Sequence, residues 1–368
     1  MAPDADISLV VPADQPPDAS IEGVEVHTHL QPRRLRKKMS AHEVQETEVA
    51  SLSRYIKTLP PELHHVIFIP TTITFDIELL LMLARCDFGD NAPRLAGRVL
   101  RLEVIASRTP EEITELANYC RNRRLLIYTE TQEMADKIES RFGVPVAGTM
   151  LFPCMIEPHS AHYNDVSAQT HADTWSVMFF GNPREEKGVE LQPRILSSLR
   201  QALKRQPLSK PVHVFTQTYW LSKLKGPKRK HNYRMMREAA INRINPAGLS
   251  IQLAFNPIPD AQFLANLNSA DLLVLPYLTP PYDTAGSGLV IDGALAGKAF
   301  VHTNGMAMNE FLNCGNAESA DTAEDFGPMI VTMLTQLNCY AEGKVEARQR
   351  VLKAMKATGE ELRRLLTF

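Results

Sequence analysis

A charged loop at residues 179–188, FFGNPREEKG, contains residue types that suit phosphate binding. It ends a short apolar run, its glycine lets a backbone approach a ligand closely, and Arg184 and Lys187 can supply positive charge. A charged turn after a strand is, taken alone, more often a solvated loop. The loop therefore leaves two interpretations open, a solvated turn or one side of a phosphate site.

A second stretch favours the phosphate site. Residues 282–298, YDTAGSGLVIDGALAGK, follow the apolar run LLVLP and a proline-rich loop, and they predict a helix that opens at 285–288 with AGSG. Small residues at a helix start leave room for a diphosphate against free N–H groups, and Ser287 adds a hydroxyl. Asp292, one turn further along, is placed to accept hydrogen bonds from ribose hydroxyls, although an isolated acid on a helix is more often solvated.

The elements that would position these loops are short apolar runs separated by amphipathic segments. The runs lack in-out alternation, which is typical of parallel strands covered on both faces. A capping box at 109–112, TPEE, starts one intervening helix, and another is predicted over 133–142. This pattern predicts a doubly wound α/β architecture. The predicted strands are 66–70, 125–128, 177–180, 212–215, 251–255, 272–276 and 299–302.

A chain of 368 residues exceeds the size at which one core usually stops growing, so we expect two domains facing a cleft. The stretch 157–174 is polar and aperiodic and is predicted to be the linker. The predicted N-terminal domain is 1–156 and the C-terminal domain 175–344. The remaining segment, 345–368, is predicted to be one long helix that packs back on the N-terminal domain.

Composition narrows the classes of function. A formal charge of -2 disfavours a dedicated nucleic-acid binder. Five scattered cysteines without C-x-x-C spacing indicate neither disulfides nor zinc, and fit a cytoplasmic protein. The N-terminus lacks a basic segment followed by an apolar one, so we expect any membrane association to be peripheral. The basic segments 32–38 and 222–237 either contact an anionic membrane surface or are solvated faces.

The order and spacing of these segments resemble the C-terminal half of nucleotide-sugar glycosyltransferases of the B fold, in the large retaining family four. The resemblance is carried by the GNPREEKG loop, by SADLLVLPY at 269–277 and by SGLVIDGALAGKAFV at 287–301, and it covers most of 120–310. It implies two Rossmann-like domains facing a cleft. The N-terminal one is expected to be shortened, because DISLVVPAD passes almost directly to GVEVHTHL.

The resemblance also implies a reaction. A sugar would pass from a UDP- or GDP-sugar to an acceptor hydroxyl on a glycan, a lipid-linked glycan or a small molecule, with retention and without a metal or other cofactor. Lys187 matches the family lysine and, with Arg184, would stabilise the departing diphosphate. Asn182 and Thr284 stand where the family usually has an arginine and its first glutamate. The expected donor-binding residues are Gly181, Asn182, Tyr282, Thr284, Gly286, Ser287, Gly288, Leu289 and Asp292.

Histidines offer no catalytic candidate. The segment 98–107, which we expect to be a strand, has none, although relatives often place one there. His27 and His29 either border the cleft or pack, and the histidines of the linker are expected to be solvated rather than metal ligands. Two other functions stay open: a nucleotide-binding or scaffold protein of reduced catalytic capacity, and a sugar-nucleotide epimerase.

Overall fold

The chain divides into two compact units, one formed by Met1–Met150 with Lys356–Phe368 and the other by Leu151–Met355. Most of the predicted linker, 157–174, lies outside the described residues. Only the backbone is described for 7–12, 24–30 and 366–367. The computed structural model describes residues 7–12, 24–30, 40–60, 65–89, 92–156, 173–179, 181–219, 225–244, 247–255 and 257–367.

The first unit contains six described strands and five helices, with the last turns of the C-terminal helix. The strands are β1 (Ile7–Pro12), β2 (Val24–Leu30), β3 (Val66–Thr72), β4 (Arg94–Val99), β5 (Leu125–Thr129) and β6 (Gly148–Thr149). The helices are α1 (Ala41–Ile56), α2 (Thr74–Arg85), α3 (Glu103–Ala106), α4 (Pro110–Arg121) and α5 (Gln132–Phe142). Strands β3 to β6 form one sheet in chain order, and β1 pairs with β2; every pairing is parallel.

Two of these helices begin and end as their sequences predict. The Thr109 hydroxyl accepts the Glu112 N–H at 3.3 Å, and the Glu112 carboxylate accepts the Thr109 N–H at 2.9 Å, which completes the capping box of α4. Helix α5 ends at Gly143, whose φ of 64° lies in the left-handed region. Both predicted helices are therefore confirmed.

The predicted strand over 98–107 is wrong. The strand is β4, which ends at Val99, and residues 103–106 form the helix α3. Val99 pairs with Thr72 on one side and with Thr129 on the other, and these are the last pairs of β4 with each neighbour. Beyond them no ladder partner is available on either strand, so the charged segment that follows leaves the sheet and turns into a helix.

The second unit is a six-stranded sheet with helices from the intervening segments. Its strands are β7 (Trp175–Phe179), β8 (Val212–Gln217), β9 (Leu249–Ala254), β10 (Leu272–Leu275), β11 (Ala299–Thr303) and β12 (Ala317–Ala320). Its helices are α6 (Gln192–Arg205), α7 (Gly226–Ile244), α8 (Asp260–Ser269), α9 (Gly288–Leu295), α10 (Asn309–Leu312), α11 (Ala323–Thr335) and the start of α12 (Ala341–Thr367).

The sheet of the second unit is parallel throughout, in the order β12-β11-β10-β7-β8-β9. Val177, Val214 and Val301, from three of its strands, are completely buried in the main core of this unit. Apolar runs without alternation thus form strands covered on both faces, and the predicted doubly wound α/β class is confirmed.

The C-terminal helix, predicted over 345–368, spans Ala341–Thr367. Its residues from Lys356 onward belong to the first unit, where the Tyr128 hydroxyl donates a hydrogen bond to Glu361 at 2.6 Å. Of the helices in the described part of the chain, none is long and apolar enough to cross a membrane.

Candidate functional site

The strand order of the second unit brings β7 and β10 together at the centre of the sheet. After β7 the chain adds β8 and β9 on one side, then returns to place β10, β11 and β12 on the other. In open parallel sheets, ligands bind beyond the carboxyl ends of the strands at such a change of direction. The loop 181–188 follows β7 and the loop 276–287 follows β10, so the structure brings both predicted phosphate-binding loops to this point.

Backbone contacts join the two loops. The Leu278 N–H donates to the Glu186 carbonyl at 2.9 Å. Gly188 has a φ of +67°, and a Cβ at this position would overlap the backbone carbonyl of Pro276. Glycine is therefore required here for two reasons, the left-handed backbone and the close approach of one loop to the other.

Lys187 extends back across its own loop. A Cβ on Gly181 would lie only 2.7 Å from the Lys187 ammonium, so the bare glycine leaves the space that the side chain fills. The same nitrogen lies 5.5 Å from the centre of the Tyr277 ring, within range of a cation–π interaction. The structure thus positions the Lys187 ammonium beyond the carboxyl end of β7, over the face of the Tyr277 ring.

Arg184 and Asn182 lie further out on the loop, and both are exposed. An Arg184 guanidinium nitrogen lies 3.3 Å from the Glu186 carboxylate, and nearly half of the arginine side chain is exposed. Because solvent screens such a pair, the interaction contributes little to stability and leaves the arginine able to rearrange. Lys187 is the more firmly positioned of the two predicted catalytic cations.

Sequence reasoning missed Gln217, the last residue of β8. Its side chain is buried, and its Oε1 atom accepts the Gly181 N–H at 3.0 Å. This bond ties the start of the 181–188 loop to the neighbouring strand. The sequence carries no specific signal for this role, because the strand VHVFTQ also contains His213 and Thr216.

The helix start after β10 leaves backbone donors available. Among the described residues, the N–H groups of Gly288 and Leu289, the first two residues of α9, make no hydrogen bond. The Ser287 N–H, in contrast, donates to the Met308 sulfur at 3.0 Å. The predicted set of free amides at 285–288 is therefore corrected. The Ala285 N–H donates to the Pro281 carbonyl at 3.3 Å and the Ser287 N–H to Met308, while the orphan donors extend to Leu289.

Tyr277 contacts residues of both loops, Lys187 in the first and Ser287 in the second. It is almost completely buried, burial raises its pKa to about 12, and its hydroxyl accepts a weak hydrogen bond from Ser287 at 3.4 Å. The rings of Tyr277 and Tyr282 lie 4.4 Å apart between centroids. Tyr277, which the sequence did not single out, contacts the residue before the α9 amides and underlies Lys187.

Asp292 faces a different segment. Its Oδ1 atom accepts the N–H groups of Met155 at 3.0 Å and Ile156 at 3.1 Å. Burial raises the pKa of this carboxyl to about 6, and the two backbone hydrogen bonds oppose that shift. Asp292 therefore fixes the backbone at 155–156 beside α9, and its predicted contact with a ribose stays a prediction.

Several predicted candidates fall elsewhere or outside the described residues. Thr284, Ser287 and Leu289 are buried at the carboxyl edge of the sheet with the other donor-site candidates. The linker histidines, the side chains of His27 and His29, and the basic segment 32–38 lie outside the described residues. The second basic segment lies mostly in α7, with exposed lysines and arginines, and its contact with a membrane stays a prediction.

The first unit has its own charged group at the carboxyl end of its sheet. Arg98 donates to the carbonyl of Pro70 at 2.8 Å and to that of Met150 at 3.2 Å, and its guanidinium lies 3.7 Å from the Glu130 carboxylate. Burial raises the pKa of Glu130, while Arg98 and Arg101 oppose the shift. A polar group enclosed at the carboxyl edge of a parallel sheet is in the position where such sheets bind ligands.

Comparison with solved structures identifies the fold. A sucrose-phosphate synthase from Thermosynechococcus elongatus is 14% identical, with a TM-score of 0.62 over 98% of this chain and 89% of that one. The trehalose-6-phosphate synthase OtsA is 11% identical, with a TM-score of 0.60 over 98% and 90%. HepE from Anabaena, in complex with UDP and glucose, is 13% identical, with a TM-score of 0.56 over 92% and 85%.

No family model and no curated protein matches the chain by sequence. The structural matches, each under 15% identical, extend over most of both chains and show the fold. The protein has the glycosyltransferase B fold, as the sequence resemblance predicts.

The contact of Gly188 with Pro276 predicts a local stability effect. Gly188→Ala is expected to destabilise the second unit by roughly 2–4 kcal/mol, because it combines a disfavoured φ with overlap of a backbone carbonyl. Gly359→Ala is the matched control, since a Cβ at this helical glycine meets no atom within 4 Å. It should stabilise the protein by about 0.5–1 kcal/mol. Urea unfolding measures both, and equal midpoints for the two variants would contradict the packing described.

The buried Asp292 carboxyl predicts a pH dependence. The unfolded carboxyl ionises near its ordinary value of 3.8, whereas the folded one retains its proton up to about 6. Stability contributed by this group is therefore present below pH 4 and lost as the pH rises to about 6. Asp292→Asn keeps an acceptor oxygen but has no proton to release. Relative to the variant, the wild type should lose roughly 2 kcal/mol of unfolding free energy between pH 4 and 7. Parallel stability profiles from urea unfolding at pH 4 to 7 would refute the assignment.

Proposed function

We propose that the protein is a glycosyltransferase that uses a nucleoside-diphosphate sugar and transfers the sugar to an acceptor hydroxyl. The donor diphosphate binds at the carboxyl end of the second unit's sheet, between the loops 181–188 and 276–287. The strand order changes direction between β7 and β10, and open α/β sheets bind their ligands at such a point, which supports this position. Solved structures of the same fold with UDP or UDP-glucose bound, those of HepE, support UDP as the nucleotide over GDP.

One observation carries the proposal: Tyr277 links a positioned cation with the start of a helix that has orphan amides. Lys187 lies over the Tyr277 ring, and Ser287, whose hydroxyl reaches the Tyr277 hydroxyl, directly precedes the amides of Gly288 and Leu289. An ammonium group and helix N-terminal amides are complementary to a diphosphate. Their arrangement around one buried side chain supports a built site rather than a solvated turn.

The chemistry follows from charge. The bond between the anomeric carbon and the diphosphate oxygen breaks, the acceptor oxygen bonds to that carbon, and the hydroxyl proton is released. Negative charge develops on the leaving diphosphate, and Lys187 with the Gly288 and Leu289 amides stabilises it where it forms. Arg184 can add charge by leaving Glu186. The solved trehalose-6-phosphate synthase is described as transferring with retention, which supports retention here. The catalytic step requires no metal or other cofactor.

Acceptor binding is assigned to the carboxyl edge of the first unit's sheet. Arg98 is held there by two backbone carbonyls, and Glu130 beside it is largely buried with a raised pKa. Such a pair offers both a donor and an acceptor of hydrogen bonds to a hydroxylated molecule. The proposed acceptor is therefore a polyhydroxylated molecule, such as a glycan or a small sugar.

Removing the positioned cation tests the proposal. Lys187→Ala is expected to lower the rate of sugar transfer from UDP-glucose about 10²–10³-fold, in line with the loss of one group that stabilises transition-state charge. Lys204→Ala, an exposed lysine on α6, is the matched control and should retain full activity. The measurement is release of UDP from a panel of UDP- and GDP-sugars in the presence of mixed sugar acceptors, with folding checked by circular dichroism.

The same donor panel separates the other functions when UDP binding and the stereochemistry of the recovered donor are also measured. UDP binding without turnover of any donor would contradict transfer and favour a nucleotide-binding protein of reduced catalytic capacity. Conversion of the donor to a stereoisomer without acceptor would favour an epimerase. Equal activity of the Lys187 and Lys204 variants would remove Lys187 from the mechanism.

A further inference from the structure

A cavity of about 380 Å³ lies at the opposite edge of the first unit's sheet, away from its carboxyl ends. Its lining includes Arg94, the first residue of β4, and Arg123, which precedes β5, and it continues along β5 as far as Tyr128. The cavity therefore opens at the amino ends of the strands and extends beside β5. The C-terminal helix closes one side with Arg364 and its neighbours. No step of sugar transfer uses this cavity.

The cavity is strongly basic. Arg94, Arg123 and Arg364 line it, against a single acid, Glu361, so its charged lining carries a net charge of +2. The Glu361 carboxylate is paired within the cavity wall, because its Oε1 atom accepts hydrogen bonds from the Tyr128 hydroxyl at 2.6 Å and from Arg364 at 2.8 Å. Within the described part of the chain, neither Arg94 nor Arg123 has an ion pair or a side-chain hydrogen bond. Two guanidinium groups are thus available to an anion.

The backbone at Arg123 gives an independent indication. Helix α4 ends in a Schellman motif, in which the Arg123 N–H bonds to the Cys120 carbonyl and the Arg124 N–H bonds to the Tyr119 carbonyl, both at 3.1 Å. Arg123 occupies the left-handed position of this motif, with a φ of 57°, where glycine is the usual residue. The chain places an arginine where the backbone favours glycine, and that side chain lines the cavity.

Size and lining define the ligand further. A volume of about 380 Å³ falls within the range of small-molecule sites and equals roughly a dozen water molecules, so it exceeds the needs of a bare inorganic anion. Leu126, Pro145 and Val146, which are partly exposed, contribute apolar surface beside the arginines. A phosphate monoester carries a charge between about −1.5 and −2 at neutral pH, which matches the net charge of the lining. Arginine forks bind such phosphates with paired hydrogen bonds.

From these observations we propose that the cavity at the amino edge of the first unit's sheet binds a small phosphate monoester, with its phosphate on Arg94 and Arg123 and its organic part against Leu126 and Val146. The site is separate from the donor site, and the proposal does not depend on the function proposed for that site. Nucleoside monophosphates and sugar phosphates share this chemistry.

Thermal unfolding and calorimetry test the site on the full chain, with saturating UDP present so that the proposed donor site is occupied. The probes are AMP, ribose 5-phosphate and inorganic phosphate, with adenosine and ribose as uncharged controls. At least one monoester should raise the unfolding temperature in a saturable manner and bind at least tenfold more tightly than inorganic phosphate. The uncharged controls should have no effect.

Three variants make the test specific. Arg94→Gln and Arg123→Gly should each lower the affinity for the monoester at least tenfold. Arg123→Gly should also unfold at the same or a higher temperature than the wild type without ligand, because glycine suits the left-handed backbone. Loss of binding in that variant therefore cannot result from misfolding. Arg54→Ala, an exposed arginine on α1, is the matched control and should bind as the wild type does.

Several outcomes would overturn the proposal. These are no shift with any monoester, equal binding of inorganic phosphate and monoesters, and full binding by the Arg94 and Arg123 variants. A monoester effect that disappears when UDP is added would assign the binding to the donor site instead. The difference between the probes identifies whether a nucleoside or a sugar is the preferred organic part.

Discussion

The candidate donor site depends on one contact, the close approach of the loop after β7 to the chain that leaves β10. Gly188 packs on the carbonyl of Pro276, and the Leu278 N–H donates to the Glu186 carbonyl. The contact is possible only because β7 and β10 are neighbours in a sheet whose order changes direction between them. It sets the position of Lys187, which lies one residue before the glycine. Any substitution that separates the two loops would displace the Lys187 ammonium from the Tyr277 ring.

The arrangement uses few side chains. Arg184, the second predicted cation, is exposed and paired with Glu186, and Asp292 is committed to the backbone of Met155 and Ile156. The groups proposed to bind the diphosphate are one lysine and two backbone amides. Backbone donors retain their position whatever the neighbouring side chains are. A chain that lacks the arginine and the first glutamate usual in the family that it resembles can therefore keep the geometry for a diphosphate.

Much of the fold was predictable from short-range patterns. Apolar runs without alternation, such as VIFIP and LLVLP, became parallel strands, and the capping box at 109–112 and Gly143 bounded their helices where expected. The strand predicted over 98–107 failed because its end depends on where its neighbours end, which local sequence does not encode. The pairing of the two loops was predictable from their motifs and from the resemblance, since each follows a strand of the same sheet.

The details of the site were not predictable in the same way. Gln217 and Met308 are distant in sequence from the loops that they contact, and nothing in their own neighbourhoods marks them. Tyr277 ends the motif SADLLVLPY, but its position under Lys187 is a tertiary property. Arg123 is instructive for the opposite reason. Only the backbone conformation of the folded chain shows that an arginine occupies a position at which glycine would be expected.

The central claim is that the amides at the start of α9 receive the diphosphate of a nucleoside-diphosphate sugar. Residue-resolved amide hydrogen exchange, followed by NMR with and without saturating UDP, tests it most directly. Exchange at Gly288 and Leu289, which make no hydrogen bond among the described residues, is expected to slow by at least tenfold when UDP binds. UDP binding that leaves exchange at both amides unchanged would show that the diphosphate does not bind there.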